Sequence, residues 1–409
     1  MNLRLTYSQH LINSSLNISG SKSETNRLFL LQAIYPELQL SNTSNSDDSE
    51  VMTKALLSSE NTIDIHHAGT AMRFLTAYFA SQPGKTVVLT GSKRMKERPI
   101  QILVGALSQL GAEISYEENV GYPPIKITGK KLQRNKVSLD ANVSSQYISA
   151  LLLIAGQLEN GIEIQLQGKI TSIPYIKMTL ALLNEIGIET TFEENKITVL
   201  PKPKISGPIT LTVESDWSSA SYFYSIVALA ETGTTITLSS YKENSLQGDS
   251  ALSEIYRSFG VQTTFGNNSI TLKKDGKALQ QLSFQLNETP DIAQTIAVTC
   301  FGLGISCHLT GLHTLKIKET DRLEALKAEL TKLGAVISVD NDSLTLEVSK
   351  TIHPEIEIET YNDHRMAMAF APLALKVPIV IKDAGVVSKS YPDFYKDLET
   401  LGFQSQEIF

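Results

Sequence analysis

The chain has 409 residues, 42% of them hydrophobic and 19% charged, with a formal net charge of −7. That length exceeds one ordinary core and predicts two domains. The acidic balance excludes a nucleic-acid backbone as partner, since such partners draw a basic surface. Residues 1–20 lack the apolar stretch of a secretory leader, and no run approaches a membrane span in length, so a cytoplasmic protein away from membranes is expected.

In chain order, the first predicted helix opens at Gly20-Ser21-Lys22-Ser23-Glu24, where Ser21 and Glu24 form a capping box. Lys22 falls in its first turn and Arg27 a little more than one turn further, so both reach toward one anion; a capped helix with solvated basic residues is the plainer alternative. Ser46 caps a second helix with acids in its first turn, and a strand follows at 62–65. His66-His67-Ala68-Gly69-Thr70-Ala71-Met72-Arg73 is a small-residue turn running into a helix, where bare backbone approaches an anion or simply packs tightly. No acid or cysteine stands at ligand spacing from the two histidines, so no metal site is expected. In Arg94-Met95-Lys96-Glu97-Arg98-Pro99-Ile100, Pro99 marks a helix start with Arg98 just before it, the alternative being a solvated charged loop. Ser144-Ser145-Gln146-Tyr147 is a hydroxyl-rich helix start.

A Pro-rich connection at 201–208 and a helix starting at Trp217 place a domain boundary near 213–216. Asp291 follows Pro290 at another helix start, and Cys300 and Cys307 lie in an apolar run that reads as buried helix and strand. Lys318-Glu319-Thr320-Asp321-Arg322 is dense in charge: either a surface salt-bridge cluster, or a carboxylate held beside fixed cations to handle a proton. Asn362-Asp363-His364-Arg365 opens a further helix, and Lys389 is placed just ahead of one more. Cations at helix starts cost about 0.3–1 kcal/mol each unless an anion sits opposite. Four such starts, at Lys22, Arg322, Arg365 and Lys389, imply a ligand with several negative charges.

A phrase of helix, Gly and short strand recurs at Gly111, Gly187, Gly260, Gly334 and Gly402, spaced by 76, 73, 74 and 68 residues. Gly just past a helix is the left-handed cap from which a strand restarts. A period near 70 is too long for a solenoid and fits a supersecondary module of a few strands and two helices. The region 46–65 carries no such phrase, so one module is expected to be shortened.

Together these segments resemble the 5-enolpyruvylshikimate-3-phosphate synthase family over essentially the whole chain. The most specific pieces are Ala68-Gly69-Thr70-Ala71-Met72-Arg73, Lys96-Glu97-Arg98-Pro99-Ile100, Lys318-Glu319-Thr320-Asp321-Arg322 and Tyr361-Asn362-Asp363-His364-Arg365-Met366-Ala367-Met368, in the family's order. The resemblance implies an α/β fold of two domains, an inside-out α/β barrel with three βαβαββ modules in each. Residues 21–214 would form the first domain and residues 1–20 with 215–409 the second, with the active site in the cleft between them. It implies transfer of the enolpyruvyl group from phosphoenolpyruvate to the 5-hydroxyl of shikimate-3-phosphate, with no metal or cofactor, by a monomer. Asp291, Glu319 and Lys22 would be catalytic. Shikimate-3-phosphate would be held by Lys22, Ser23, Arg27, Ser144, Ser145, Gln146, Ser172, Tyr175, Asp291 and Lys318. Phosphoenolpyruvate would be held by Lys22, Gly69, Arg98, Gln146, Arg322, Arg365 and Lys389, and glyphosate would compete there, its potency depending on Phe74 and His67. Two departures stand out: His67 replaces the family's usual Asn, and the module before it lacks about a strand and its turn.

UDP-N-acetylglucosamine enolpyruvyl transferase is the nearest rival, but the Cys usual in its loop is missing from Gly91-Ser92-Lys93-Arg94-Met95-Lys96, and Ser23 rather than Asn follows Lys22. A non-catalytic binder of phosphate ligands is the other reading. Asp291 and Glu319 disfavour it, because carboxylates in an anion site oppose plain binding.

Overall fold

The computed structural model describes residues 1–8, 13–142, 144–168, 170 and 172–408. The chain divides into two compact units, Gly20–Val213 and a second made of Met1–Ser19 with Glu214–Phe409. Both are mixed α/β.

In the 20–213 unit, strands Thr62–Asp64, Thr86–Thr90, Ile125–Thr128 and Glu113–Tyr116 form one sheet in that order. Its first pair is parallel and the rest antiparallel. A second sheet, Lys136–Asp140, Ile162–Gln167, Lys196–Val199 and Thr190–Glu193, repeats the pattern of a parallel pair followed by a hairpin. The third sheet has only the parallel pair, Leu38–Ser41 against Ile209–Thr212.

Three four-stranded sheets make up the other unit, each again a parallel pair extended by antiparallel strands. One is Ile356–Ile358, Ile379–Ile381, Asn2–Tyr7 and Phe403–Ile408. The next is Asn13–Leu16, Thr235–Ser239, Ser269–Lys274 and Val261–Gly266. The last is Gln281–Gln285, Ser306–Thr310, Ser343–Leu346 and Ile337–Val339.

Local sequence accounts for many of these boundaries. Ser21 Oγ accepts from Glu24 N at the start of helix Lys22–Ile34, and Ser46 Oγ from Ser49 N at the start of Asp47–Leu57. Helix Gln101–Leu110 ends on Gly111 at φ 99°, a left-handed position that a Cβ would strain, and Gly187, Gly260, Gly334 and Gly402 adopt the same region before their strands. Four helices are apolar nearly all round and buried on almost every face: Gly69–Ala80, Ser145–Ala155, Trp217–Leu229 and Ala293–Leu303. Such helices belong inside their unit, with sheets covering them. Cys300 and Cys307 are both buried thiols. Among the described residues no helix is long and apolar enough to cross a membrane.

Candidate active site

Four helices of the 20–213 unit, Lys22–Ile34, Gly69–Ala80, Ser145–Ala155 and Ile173–Glu185, pack against one another and bring their N-terminal residues together. Arg27 lies between them, 2% exposed. Its Nε donates to Thr179 Oγ1 at 2.7 Å, Nη1 to Ser23 O at 2.6 Å, and Nη2 to Ser149 Oγ at 3.0 Å and to Tyr175 O at 3.4 Å. The rings of Phe74 and Tyr175 lie 5.3 and 5.9 Å from its guanidinium carbon. No carboxylate pairs with Arg27 among the described residues, so burial lowers its pKa to about 10 despite the nearby Tyr175 and Glu24. A buried cation met only by neutral oxygens is a strong anion attractor.

At the start of the helix that carries Arg27, Lys22 Nζ stands 3.2 Å from Asp48 Oδ2, and His67 Nε2 lies 3.5 Å from Asp48 Oδ1. Two residues on, Gly69 begins its helix behind Ala68, which offers no capping side chain. The N–H groups of the first turn therefore have no intrahelical acceptor. The guanidinium of Arg98 lies against Gly69, its Nη1 only 2.5 Å from where a Cβ would be. Gln146 Nε2 donates to Thr70 Oγ1 at 3.2 Å, joining the second helix start to the third. Ser144 Oγ caps that third helix through Gln146 N at 3.3 Å, Ser145 is buried, and Ser172 caps the fourth in the left-handed region at φ 54°.

The other unit holds a denser cluster. Arg322, 2% exposed, donates from Nε to Asp363 Oδ2 at 2.7 Å, from Nη1 to Asp291 Oδ1 at 2.9 Å, and from Nη2 to Glu319 Oε2 at 2.8 Å. Arg365 Nη1 donates to Asp291 O at 3.2 Å and Nη2 to Asp291 Oδ2 at 3.3 Å, while Lys318 Nζ lies 3.4 Å from Asp291 Oδ1. Lys389 Nζ donates to the Asn362 carbonyl and side-chain oxygens, both at 2.6 Å. Burial alone would raise Asp291; Arg365, Lys318 and Arg322 outweigh it and hold the carboxyl far below the ordinary range. Burial likewise works against charge on Arg322 and Arg365, and the surrounding carboxylates reverse it, raising both.

Two sequence expectations need correction. Lys389 does not precede a helix: it closes the 3-10 segment Ala384–Lys389, and the next helix is Phe394–Thr400. The short segment Lys93–Lys96 is itself helical, and the following helix begins at Gln101, so Pro99 stands before its cap rather than inside its first turn. In this cluster the cations also meet protein acids, not only helix ends. Sequence reasoning missed Asp363, fully buried, which caps helix His364–Phe370 through Arg365 N at 2.9 Å while gripping Arg322. It missed Asp48, Ser149 and Thr179 as well. Asp363 lay within a quoted motif, and its cap position was the signal available.

The chain matches over residues 52–398 a family model described as EPSP synthase (3-phosphoshikimate 1-carboxyvinyltransferase). A 3-phosphoshikimate 1-carboxyvinyltransferase of Bacteroides fragilis (strain YCH46) is 46% identical over 397 residues, covering 96% of each chain. One from Photorhabdus laumondii is 38% identical over 420 residues, covering 95% of this chain and 96% of the relative. Among solved structures, an EPSP synthase from Acinetobacter baumannii superposes with a TM-score of 0.80 at 21% identity, covering 100% of both chains. The enolpyruvyl transferase NikO from Streptomyces tendae superposes at 0.76 with 14% identity, covering 100% of this chain and 99% of its own. At such identities these likenesses speak for the fold.

Proposed function

The chain belongs to the EPSP synthase (3-phosphoshikimate 1-carboxyvinyltransferase) family, and from that membership we propose how its residues divide the reaction. The enzyme transfers the enolpyruvyl group of phosphoenolpyruvate to the 5-hydroxyl of shikimate-3-phosphate and releases phosphate. The observation that carries the residue assignment is the contact of Asp291 and Glu319 with one buried guanidinium, that of Arg322, at 2.9 and 2.8 Å. Two carboxylates fixed beside cations suit a reaction that moves protons next to anions.

In the addition step the hydroxyl oxygen bonds to C2 of phosphoenolpyruvate. Asp291 takes the hydroxyl proton and Glu319 gives one to the C3 methylene. In the elimination step the C2–O bond to phosphate breaks, phosphate departs with the proton that Asp291 took up, and Glu319 recovers a proton from C3. Lys22 is the cation across the reacting oxygens. A carboxylate held as low as Asp291 is a weak base while Arg365, Lys318 and Arg322 face it. Substrate anions that draw on those cations raise its affinity for a proton, so binding itself activates the base.

Shikimate-3-phosphate is assigned to Ser23, Arg27, Ser144, Ser145, Gln146, Ser172, Tyr175, Asp291 and Lys318, and phosphoenolpyruvate to Gly69, Arg98, Gln146, Arg322, Arg365 and Lys389, with Lys22 serving both. Glyphosate competes in the latter subsite. The assignment takes both units to act on one pair of substrates. For the fold it proposes an inside-out barrel of three modules per unit, supported by the shared pattern of parallel pair and hairpin; the sheet Leu38–Ser41 with Ile209–Thr212 would be the shortened module.

Purified protein given both substrates is expected to release phosphate and form the enolpyruvyl ether, read by mass spectrometry. Product formation only with UDP-N-acetylglucosamine as acceptor would install the rival activity instead.

A further inference from the structure

Asp249 is a buried carboxyl with no cation within ion-pairing distance among the described residues. It lies in the short 3-10 turn Gly248–Ala251, 5% exposed; among the described residues no Lys, Arg or His forms an ion pair with it, and the Thr289 hydroxyl is its hydrogen-bond donor. Burying a carboxylate without a counter-ion is costly. If the side chain only had to accept one hydroxyl, a neutral amide would do so at lower cost.

Its surroundings are well fixed. Two residues earlier, Gln247 Oε1 accepts from Trp217 N and Gln247 Nε2 donates to Ser215 O, both at 2.9 Å. On the other side, Thr289 is the cap of the turn Pro290–Ile292, which carries Asp291. The charged groups that face Asp249 are Asp291 from that turn, Arg365 from helix His364–Phe370 and Asp216 from the cap of helix Trp217–Leu229. Tyr222 of the last helix faces Arg365 and Asp216 in turn.

Resting on the assignment above, we propose that Asp249 is a positioning residue for Asp291, acting through Thr289, and that it takes up a proton when an anion engages Arg365. The positioning follows from the bond itself, since the Thr289 hydroxyl ties the Asp291 turn to a loop pinned by Gln247. The proton uptake follows from charge. Arg365 favours the ionised form of Asp249. An anion drawn to Arg365 cancels that attraction and adds repulsion of its own, so the carboxylate gains a proton from solvent. Burial, reinforced by the Asp291 charge, pushes Asp249 up to about 7, so both forms are populated at neutral pH.

Calorimetry of phosphoenolpyruvate binding at pH 7, in two buffers of different ionisation heat, measures the proton. Wild-type protein is expected to take up more than Asp249→Asn by as much as about half a proton; the difference cancels the ligand's own protons, and equal uptake overturns the linkage. Thr289→Val is expected to lower kcat about tenfold with both KM values within about twofold, and Thr289→Ser to restore it. Unchanged kcat in Thr289→Val overturns the positioning. Carboxyl NMR of 13C-aspartate-labelled protein without substrates should show one resonance titrating near neutral pH that Asp249→Asn lacks. Its absence overturns the proposal even in an active transferase. Its presence in a protein that makes no enolpyruvyl product would leave Asp249 standing and remove only the reaction assignment.

Discussion

Arg322 and Arg365 look alike in sequence, both cations beside helix starts, yet the structure gives them different work. Among the described residues three carboxylates meet Arg322, which is 2% exposed, whereas Arg365 has Asp291 alone within ion-pairing distance. Arg365→Lys is therefore the cleaner test of the phosphoenolpyruvate subsite. It is expected to raise KM for phosphoenolpyruvate by about tenfold or more, the worth of a charge-assisted bond, with little change in KM for shikimate-3-phosphate. Equal effects on both constants in steady-state kinetics would contradict the assignment. Asp363→Ala leaves Arg322 without its shortest partner, at 2.7 Å, in a fully buried place. Breaking such a pair costs about 3–5 kcal/mol, so a lower denaturation midpoint should accompany lost activity. Asp291→Asn keeps shape and removes the base; kcat should fall by about 10²–10⁴ while the protein stays folded.

Among the elements, helix Gly69–Ala80 shows how a small residue serves a site. A Cβ at Gly69 would meet Arg98 Nη1 at 2.5 Å, so Gly69→Ala must displace the end of that flexible side chain. KM for phosphoenolpyruvate is expected to rise about tenfold through a lost or lengthened charge-assisted contact, with the melting temperature nearly unchanged. Gly111→Ala makes the opposite control. There a Cβ meets nothing within 4 Å, but φ is 99°, so the change should cost about 1 kcal/mol of stability and leave kinetics alone.

For the molecule as a whole, Asp291 and Asp249 pull the pH dependence of stability in opposite directions. Asp291 titrates below its unfolded value of 3.8, so its contribution is present above that pH and is lost as pH falls further. Asp249 is raised from 3.8 to about 7, so its contribution is complete below 3.8 and is lost as pH rises toward 7. Between pH 4 and 7 the Asp249 term makes the melting temperature fall with pH, Asp397, also raised by burial, adds in the same direction, and Asp249→Asn should flatten the slope in part. An unchanged slope in scanning calorimetry would show that Asp249 does not titrate there. Many of the site's cations already face acids, Lys22 at Asp48 and Arg322 at three carboxylates.

The sequence by itself determined the local grammar: caps at Ser21 and Ser46, left-handed glycines before strands, and motifs in an order that named the family. Each of these depends on residues a few positions apart, whose effects on backbone hydrogen bonding hold whatever the rest of the chain does. Tertiary structure alone decided what joins distant segments. Strand Leu38–Ser41 finds Ile209–Thr212, with Ser41 and Thr212 bonded across 171 positions. Carboxylates from 291, 319 and 363 converge on Arg322, and Asp48 reaches Lys22 from a neighbouring helix. Asp249 was equally invisible, because a carboxyl becomes unusual only when packing removes its water and sets Asp291 beside it. Charge read along the chain shows which residues attract anions; only packing fixes which of them already face an acid, and so how strongly each still does.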